Sequence, residues 1–233
     1  MKRVLECLAF LAIAFTPGCI DMTEILTVEA DGSGSIEVTY SIPIAMFRGD
    51  KNYSSLGTDE AIFEALQKEV ETQAKQLKGF TVEDVTVERA DEEFLLITIA
   101  ASFESVDAFS NITRVTATEP GSGDPAGGKK EVPGFLPRKA SLEEKDGHLV
   151  FRQEVRVSNE EKKEGKEEMD AQMAGMMKSA YAGHRLNFTV VLPGNVASAD
   201  GASIEENAAT WEYKLAETVD RSQLGPMEAS LNE

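Results

Sequence analysis

Three features predict an α+β protein. Short apolar runs alternate with polar residues at a period of two. Gly, Asn and Asp clusters separate those runs in pairs. Two longer stretches carry apolar residues at spacings of three and four. The expected architecture is an antiparallel sheet, or sheets, built from hairpins with two long helices packed on them. Each half of the chain follows a ββαββ-like plan.

The elements follow in order. Leu26 and Val28 alternate with Thr27 and Glu29, and Ile36, Val38, Tyr40 and Ile42 alternate with Glu37, Thr39 and Ser41. Between them Asp31-Gly32-Ser33-Gly34 is a turn sequence, so the segment reads as a hairpin ended by Pro43. Met46 to Gly57 is an irregular connection. A helix is predicted over Asp59 to Lys78, with Thr58 as N-cap and Gly79 as stop. Ile62, Phe63, Leu66, Val70, Ala74 and Leu77 form its apolar stripe. In Phe80 to Val87 the alternation slips at Glu83-Asp84, which predicts a bulge. Phe94 to Phe103 is the most apolar strand and is expected at the sheet centre.

The second half begins after a Gly- and Pro-rich loop, 117–137. Ala140 to Leu142 and Leu149 to Val157 flank an Asp146-Gly147 turn. Ser158 to Glu161 matches a capping box and opens a predicted helix over Glu160 to Tyr181, stopped by Gly183. Leu186 to Leu192 is a strand, and a last hairpin turns at Glu206-Asn207, with Trp211, Tyr213 and Leu215 on one face. The expected organisation is a leader over 1–18, a tether over 19–23, an ectodomain over 24–216 and a polar tail over 217–233. The halves of the ectodomain are 24–116 and 138–216. Whether they share one continuous sheet or form two is open at this level.

The leader fixes the compartment. Lys2 and Arg3 precede an apolar run from Cys7 to Phe15, and Pro17-Gly18-Cys19 follows. A basic start, a short apolar run and small residues at the cut describe an export signal. The run falls short of the roughly 20 residues needed to span a bilayer. Gly before Cys resembles a bacterial lipobox, in which Cys19 is lipidated and becomes the first residue of the mature chain. Glu6 and Pro17 depart from that pattern, and the alternatives are an ordinary cleaved signal with an incidental Cys or a buried N-terminal segment. Cys7 leaves with the leader and Cys19 is capped, so no free thiol remains. The expected location is extracytoplasmic, lipid-anchored in a bacterial cell envelope.

About 215 of 233 residues remain after cleavage, enough for a real core. The net charge of −18 becomes one unit more negative, because the leader holds Lys2, Arg3 and Glu6. Such a chain repels phosphate backbones and anionic lipid headgroups, which argues against nucleic acid as a partner and against broad adhesion to an acidic bilayer surface. Catalytic and metal signatures are missing. His148 and His184 are the only histidines and neither has a ligand spacing. Asp31 to Ser35 lacks the Gly and distal Glu of a calcium loop. No Gly-x-Ser-x-Gly and no phosphate-binding Gly loop occur in context. A non-enzymatic protein without cofactor is expected.

One stripe stands out. Met169, Met173, Met176, Met177, Ala180 and Tyr181 share a face of the second predicted helix. Such a stripe packs a core or lines an adaptable groove for acyl chains. Met169, Met173, Met176, Met177 and Tyr181 are the candidate ligand-lining residues.

The run Leu186 to Val196, containing Leu192-Pro193-Gly194, with Gly201 and then Thr210-Trp211 after it, resembles the LppM-like bacterial lipoproteins. So does a lipobox Cys followed by a strand and an Asp-Gly-Ser-Gly turn. The resemblance implies structural roles for Pro193, Gly194, Gly201 and Trp211. It further implies an envelope-anchored α+β domain, with lipid or glycolipid as ligand. The leading expectation is therefore a membrane-tethered lipoprotein binding a lipid or other apolar ligand. The alternative is a scaffold lipoprotein that recognises another envelope protein through a sheet edge or the charged part of the second helix.

Overall fold

The computed structural model describes residues 21–44, 58–74, 79–110, 136, 138–145, 147–157, 175–179, 181–219, 221 and 223–231. The fold is a sandwich of two β-sheets. The larger has seven strands. These are β1 (Asp21–Val28), β2 (Gly34–Pro43), β3 (Phe80–Arg89), β4 (Phe94–Phe103), β7 (Arg185–Val191), β9 (Ser203–Glu205) and β10 (Ala208–Lys214). Their order is β3-β4-β2-β1-β7-β10-β9. The smaller sheet contains β5 (Arg138–Lys145), β6 (His148–Arg156), β8 (Val196–Ala199) and β11 (Gln223–Leu231), ordered β5-β6-β11-β8.

The predicted period of two is what builds both sheets. On β1 the inward residues Met22, Glu24, Leu26 and Val28 are buried, while Asp21 and Thr23 face water. On β4 Leu95, Ile97, Ile99, Ala101 and Phe103 point in. Phe151 and Val155 on β6 and Leu224, Met227 and Ala229 on β11 meet them from the other sheet in one continuous core. Each of the Val, Leu, Ile, Phe and Met side chains among them contributes about 1.5–3 kcal/mol on burial. The outer face of the larger sheet is polar, with Thr39 beside Thr98 at 3.3 Å and Thr189 beside Thr210 at 2.9 Å.

Turn chemistry follows the sequence closely. Gly32 has φ +82°, and Asp31 Oδ1 accepts hydrogen bonds from the Ser33 backbone N–H and hydroxyl. Gly34 is needed for a different reason: a Cβ there would lie 2.0 Å from the Thr27 carbonyl oxygen and 2.6 Å from the Phe103 ring. The register of β3 against β4 shifts between Val82 and Asp84, the position of the predicted bulge. Thr58 Oγ1 accepts from the Ala61 N–H, the expected N-cap contact.

The expected class, α+β with two long helices packed on antiparallel sheets, is wrong. The core is sheet on sheet, so the inner faces cover each other and leave no apolar sheet face for helices to bury. Helix α1 (Asp59–Ala74) packs beside the edge strand β3, with Ile62 buried. The side chains of Leu66, Val70, Ala74 and Leu77 lie outside the described set. The other described helices are α2 (Val106–Ser110), residues 175–179 and α3 (Leu215–Thr218), each about one turn. Most of the second predicted helix, 158–174, lies outside the described residues.

The ββαββ plan also fails, because the halves interleave. β7 leaves the second half to pair parallel with β1, Met22 opposite Leu186 and Leu26 opposite Val190. β10 then pairs antiparallel with β7. The larger sheet is therefore mixed. The predicted polar tail is corrected too. It contains β11, an interior strand of the smaller sheet, with Leu224, Met227 and Ala229 fully buried. Its spacing hid it, since Gly225-Pro226 interrupts the alternation and the register shifts between Leu224 and Met227.

Candidate functional site: an apolar cavity between the sheets

At the end of the sandwich where β1 begins, the sheets part around an open cavity of about 410 Å³. Its size lies in the range of small-molecule sites, about 300–1,000 Å³. Three strands of the larger sheet and the helix that follows a fourth supply one wall. Met22 enters from β1, Tyr40 and Ile42 from the end of β2, and Leu186 from the start of β7. Leu215 follows the last residue of β10 and opens α3, which adds Thr218 and Val219 beside it. The other wall uses Leu136, just before β5, and Val157, just after β6. Met177 and Tyr181 complete the lining.

Local structure explains how Met177 and Tyr181 arrive together. The Tyr181 N–H donates to the Met177 carbonyl at 2.9 Å, one helical turn, so both side chains share a face. Gly183, at φ +98°, then ends the turn, and the Leu215 N–H donates to the His184 carbonyl at 2.8 Å. That bond clips α3 to the entry of β7 at the cavity mouth. Met177 remains 37% exposed, consistent with a place at the opening.

The lining is chemically plain. It contains no carboxylate, imidazole, thiol or amine among its described members. Its polar handles are three hydroxyls. That of Thr218 is engaged with the Leu215 carbonyl at 2.8 Å. Burial pushes the Tyr40 phenol well above its ordinary range, the negative charge of Glu24 adds to this, and Arg138 opposes it. Tyr40 is therefore a neutral hydroxyl at any physiological pH. The described lining is therefore mainly apolar, with hydroxyls as its polar groups.

Deeper between the sheets sits a charged pair. Arg138 on β5 donates to both carboxylate oxygens of Glu24 on β1, at 2.5 and 2.7 Å, and both side chains are at most 1% exposed. The Arg138 Nε–H also donates to the Leu136 carbonyl, and the guanidinium lies 4.7 Å from the centre of the Phe109 ring.

The candidate residues divide cleanly. Met177 and Tyr181 line the cavity, and Met176 is half-buried beside it without contributing to the lining. Met169, Met173 and Cys19 lie outside the described residues. Pro193 and Gly194 turn the chain between β7 and β8, away from the cavity. Gly201 takes φ +71°, and buried Trp211 donates its indole N–H to the Asp200 carbonyl at 2.8 Å. His184 sits near the mouth with Nδ1 3.3 Å from Asp21 Oδ1. Among the described residues no group of three or more acidic, His or Cys side chains could hold a metal ion.

Sequence reasoning missed Met22, Leu136, Thr218, Val219 and the Glu24–Arg138 pair, and it read Tyr40, Ile42, Val157, Leu186 and Leu215 only as strand residues. One signal was present. In Met22-x-Glu24-x-Leu26-x-Val28 an acid occupies the apolar phase of a strand, and a buried acid demands a partner.

No family model matches the chain, and no curated protein matches it. Among solved structures it is similar to the folded domain of the Mycobacterium tuberculosis protein LppM, determined by NMR. That match covers 92% of this chain and 91% of the other, at 13% identity and a TM-score of 0.40. Among the described residues no helix is long and apolar enough to cross a membrane.

Proposed function

We propose that this chain is a bacterial envelope lipoprotein, held to a membrane through Cys19, whose sandwich domain takes an acyl chain or comparable apolar ligand into the cavity between its sheets. The cavity itself carries the reading. It is lined by Met22, Ile42, Leu136, Met177, Leu186 and Leu215, and its described lining holds no carboxylate, imidazole, thiol or amine. An apolar volume of this kind gains favourable free energy by excluding water around a hydrocarbon, at about 0.8 kcal/mol per buried CH₂. The leader ending in Gly18-Cys19 supports anchoring.

Two measurements test the two parts. Mass spectrometry of the mature N-terminus should find a lipid-modified Cys19, and an unmodified residue there would remove the anchor. Native mass spectrometry of the protein taken from the envelope in mild detergent should find a co-purifying lipid at one per chain. A delipidated, refolded chain that reacquires none on incubation with envelope lipids would refute the binding reading.

A further inference from the structure

The cavity opens where β1 begins. Asp21 is the first residue of that strand, and its neighbour Met22 already lines the cavity. Pairing fixes this end of β1 on both sides. Asp21 stands opposite Ser41 on β2, Met22 stands opposite Leu186 on β7, and Asp21 Oδ1 accepts the Arg185 N–H at 2.9 Å. β1 therefore starts inside the tether predicted over 19–23. Cys19 precedes Met22 by three positions, a span of at most about 11 Å. An extended acyl chain is longer than that. A chain attached at Cys19 thus reaches the cavity without any strand moving, and Met177 is exposed at the opening.

Attachment gives such a chain an advantage over a free ligand. A ligand from solution binds according to its concentration. A group held on a short link is present at an effective concentration in the millimolar range. Surroundings decide how strongly it is driven in. In water each methylene gains by burial. In a bilayer the chain is already out of water, and lipid tails are as apolar as the cavity wall, so the move gains little. The cavity, at about 410 Å³, suits a single chain, so two occupants exclude each other.

We propose that the cavity houses an acyl chain of the protein's own anchor, the lipid on Cys19, whenever that anchor is outside a bilayer, and that this chain competes with envelope lipid for the same space. This rests on Cys19 being lipidated and on the cavity binding an acyl chain, but it fails separately. Away from a membrane the attached chain fills the cavity and is shielded from water. Once the anchor inserts, the chain leaves and the cavity takes a lipid.

The test compares full mature chains in detergent-free solution by titration with a fluorescent fatty acid. They are the lipidated chain, verified by mass spectrometry at Cys19, the Cys19→Ser chain, and a lipidated chain with a longer link. Inserting about twelve Gly and Ser residues between Ile20 and Asp21 lengthens the link about fivefold and lowers the effective concentration about tenfold. A lipidated chain with Ile42→Trp, which fills the cavity, measures uptake elsewhere. The expected result is one-to-one uptake by the Cys19→Ser chain and uptake at least tenfold weaker by the lipidated chain. The insertion should recover about tenfold of that loss. Equal uptake by the lipidated and Cys19→Ser chains, or uptake as weak with the insertion as without it, overturns occupancy by the anchor and leaves the cavity reading standing. No uptake by the Cys19→Ser chain sinks the cavity reading itself.

Discussion

Arg138 grips the carboxylate of Glu24 across the space between the two sheets, so a strand from the second half of the chain is bonded to the strand that starts the first. Both groups are out of water. Removing one partner leaves an uncompensated buried charge, which costs about 3–5 kcal/mol, whereas replacing both by apolar groups of similar size is often neutral or stabilising. Glu24→Gln should therefore lower stability by that amount in urea titrations. Glu24→Leu combined with Arg138→Met should recover most of the loss. A double variant as unstable as the single would mean the pair does more than satisfy itself.

This pair shows where the sequence was legible and where it was not. Hairpin turns, the bulge at Glu83-Asp84, the N-cap at Thr58 and the period of two along β1, β2 and β4 are local, and residues within a few positions determine them. The pairing of β1 with β7 joins Met22 to Leu186, and no local pattern encodes it. A helix does form over the described part of the predicted 59–78 segment, Asp59–Ala74. What the helical spacing could not reveal was that the sheets would cover each other, leaving that helix at an edge. Of the eleven described lining residues, two were named as site candidates from the sequence. Met177 and Tyr181 announced themselves by their i,i+4 spacing. Met22 sat in what looked like a tether, and Thr218 and Val219 in what looked like a tail.

Two glycines in one turn should behave differently. Gly32 holds a left-handed φ with nothing within 4 Å of an added Cβ, so Gly32→Ala should cost about 1–2 kcal/mol through backbone strain alone. Gly34 has no such φ, but an added methyl collides with the Thr27 carbonyl and the Phe103 ring. Gly34→Ala must separate β1 from β2 or displace Phe103, and should be the more damaging of the two. Thermal melts of both variants decide the order.

Alkaline pH should destabilise the fold. Burial raises the Tyr40 phenol above its ordinary value near 10, Glu24 adds to this, and burial raises Tyr213 as well. Below pH 10 both states hold these protons and the stabilising contribution is complete. Above it the unfolded chain loses them first, so stability falls as pH rises from about 10. The urea midpoint followed upward from pH 9 should drop, and Tyr40→Phe should flatten the drop. An unchanged slope in that variant would place the alkaline sensitivity elsewhere.

The cavity can be closed from within. Ile42 lies half-buried on its wall, and Trp at that position adds ring volume where space already exists. The larger side chain should cost less than 1–3 kcal/mol, the usual penalty of overpacking. Leu215→Trp enters from the other end of the same wall and guards against a local misfit. Unchanged far-ultraviolet circular dichroism in either variant establishes that the sandwich survives.

Titration of a fluorescent fatty acid into the Cys19→Ser chain, with and without Ile42→Trp, tests the central claim most directly. A cavity that holds an acyl chain predicts saturable one-to-one binding in the parent. In the filled variant the affinity should fall by at least tenfold, with the fold intact. Equal binding by both chains would place the ligand outside the space between Met22, Ile42, Met177 and Leu215, and would contradict the account.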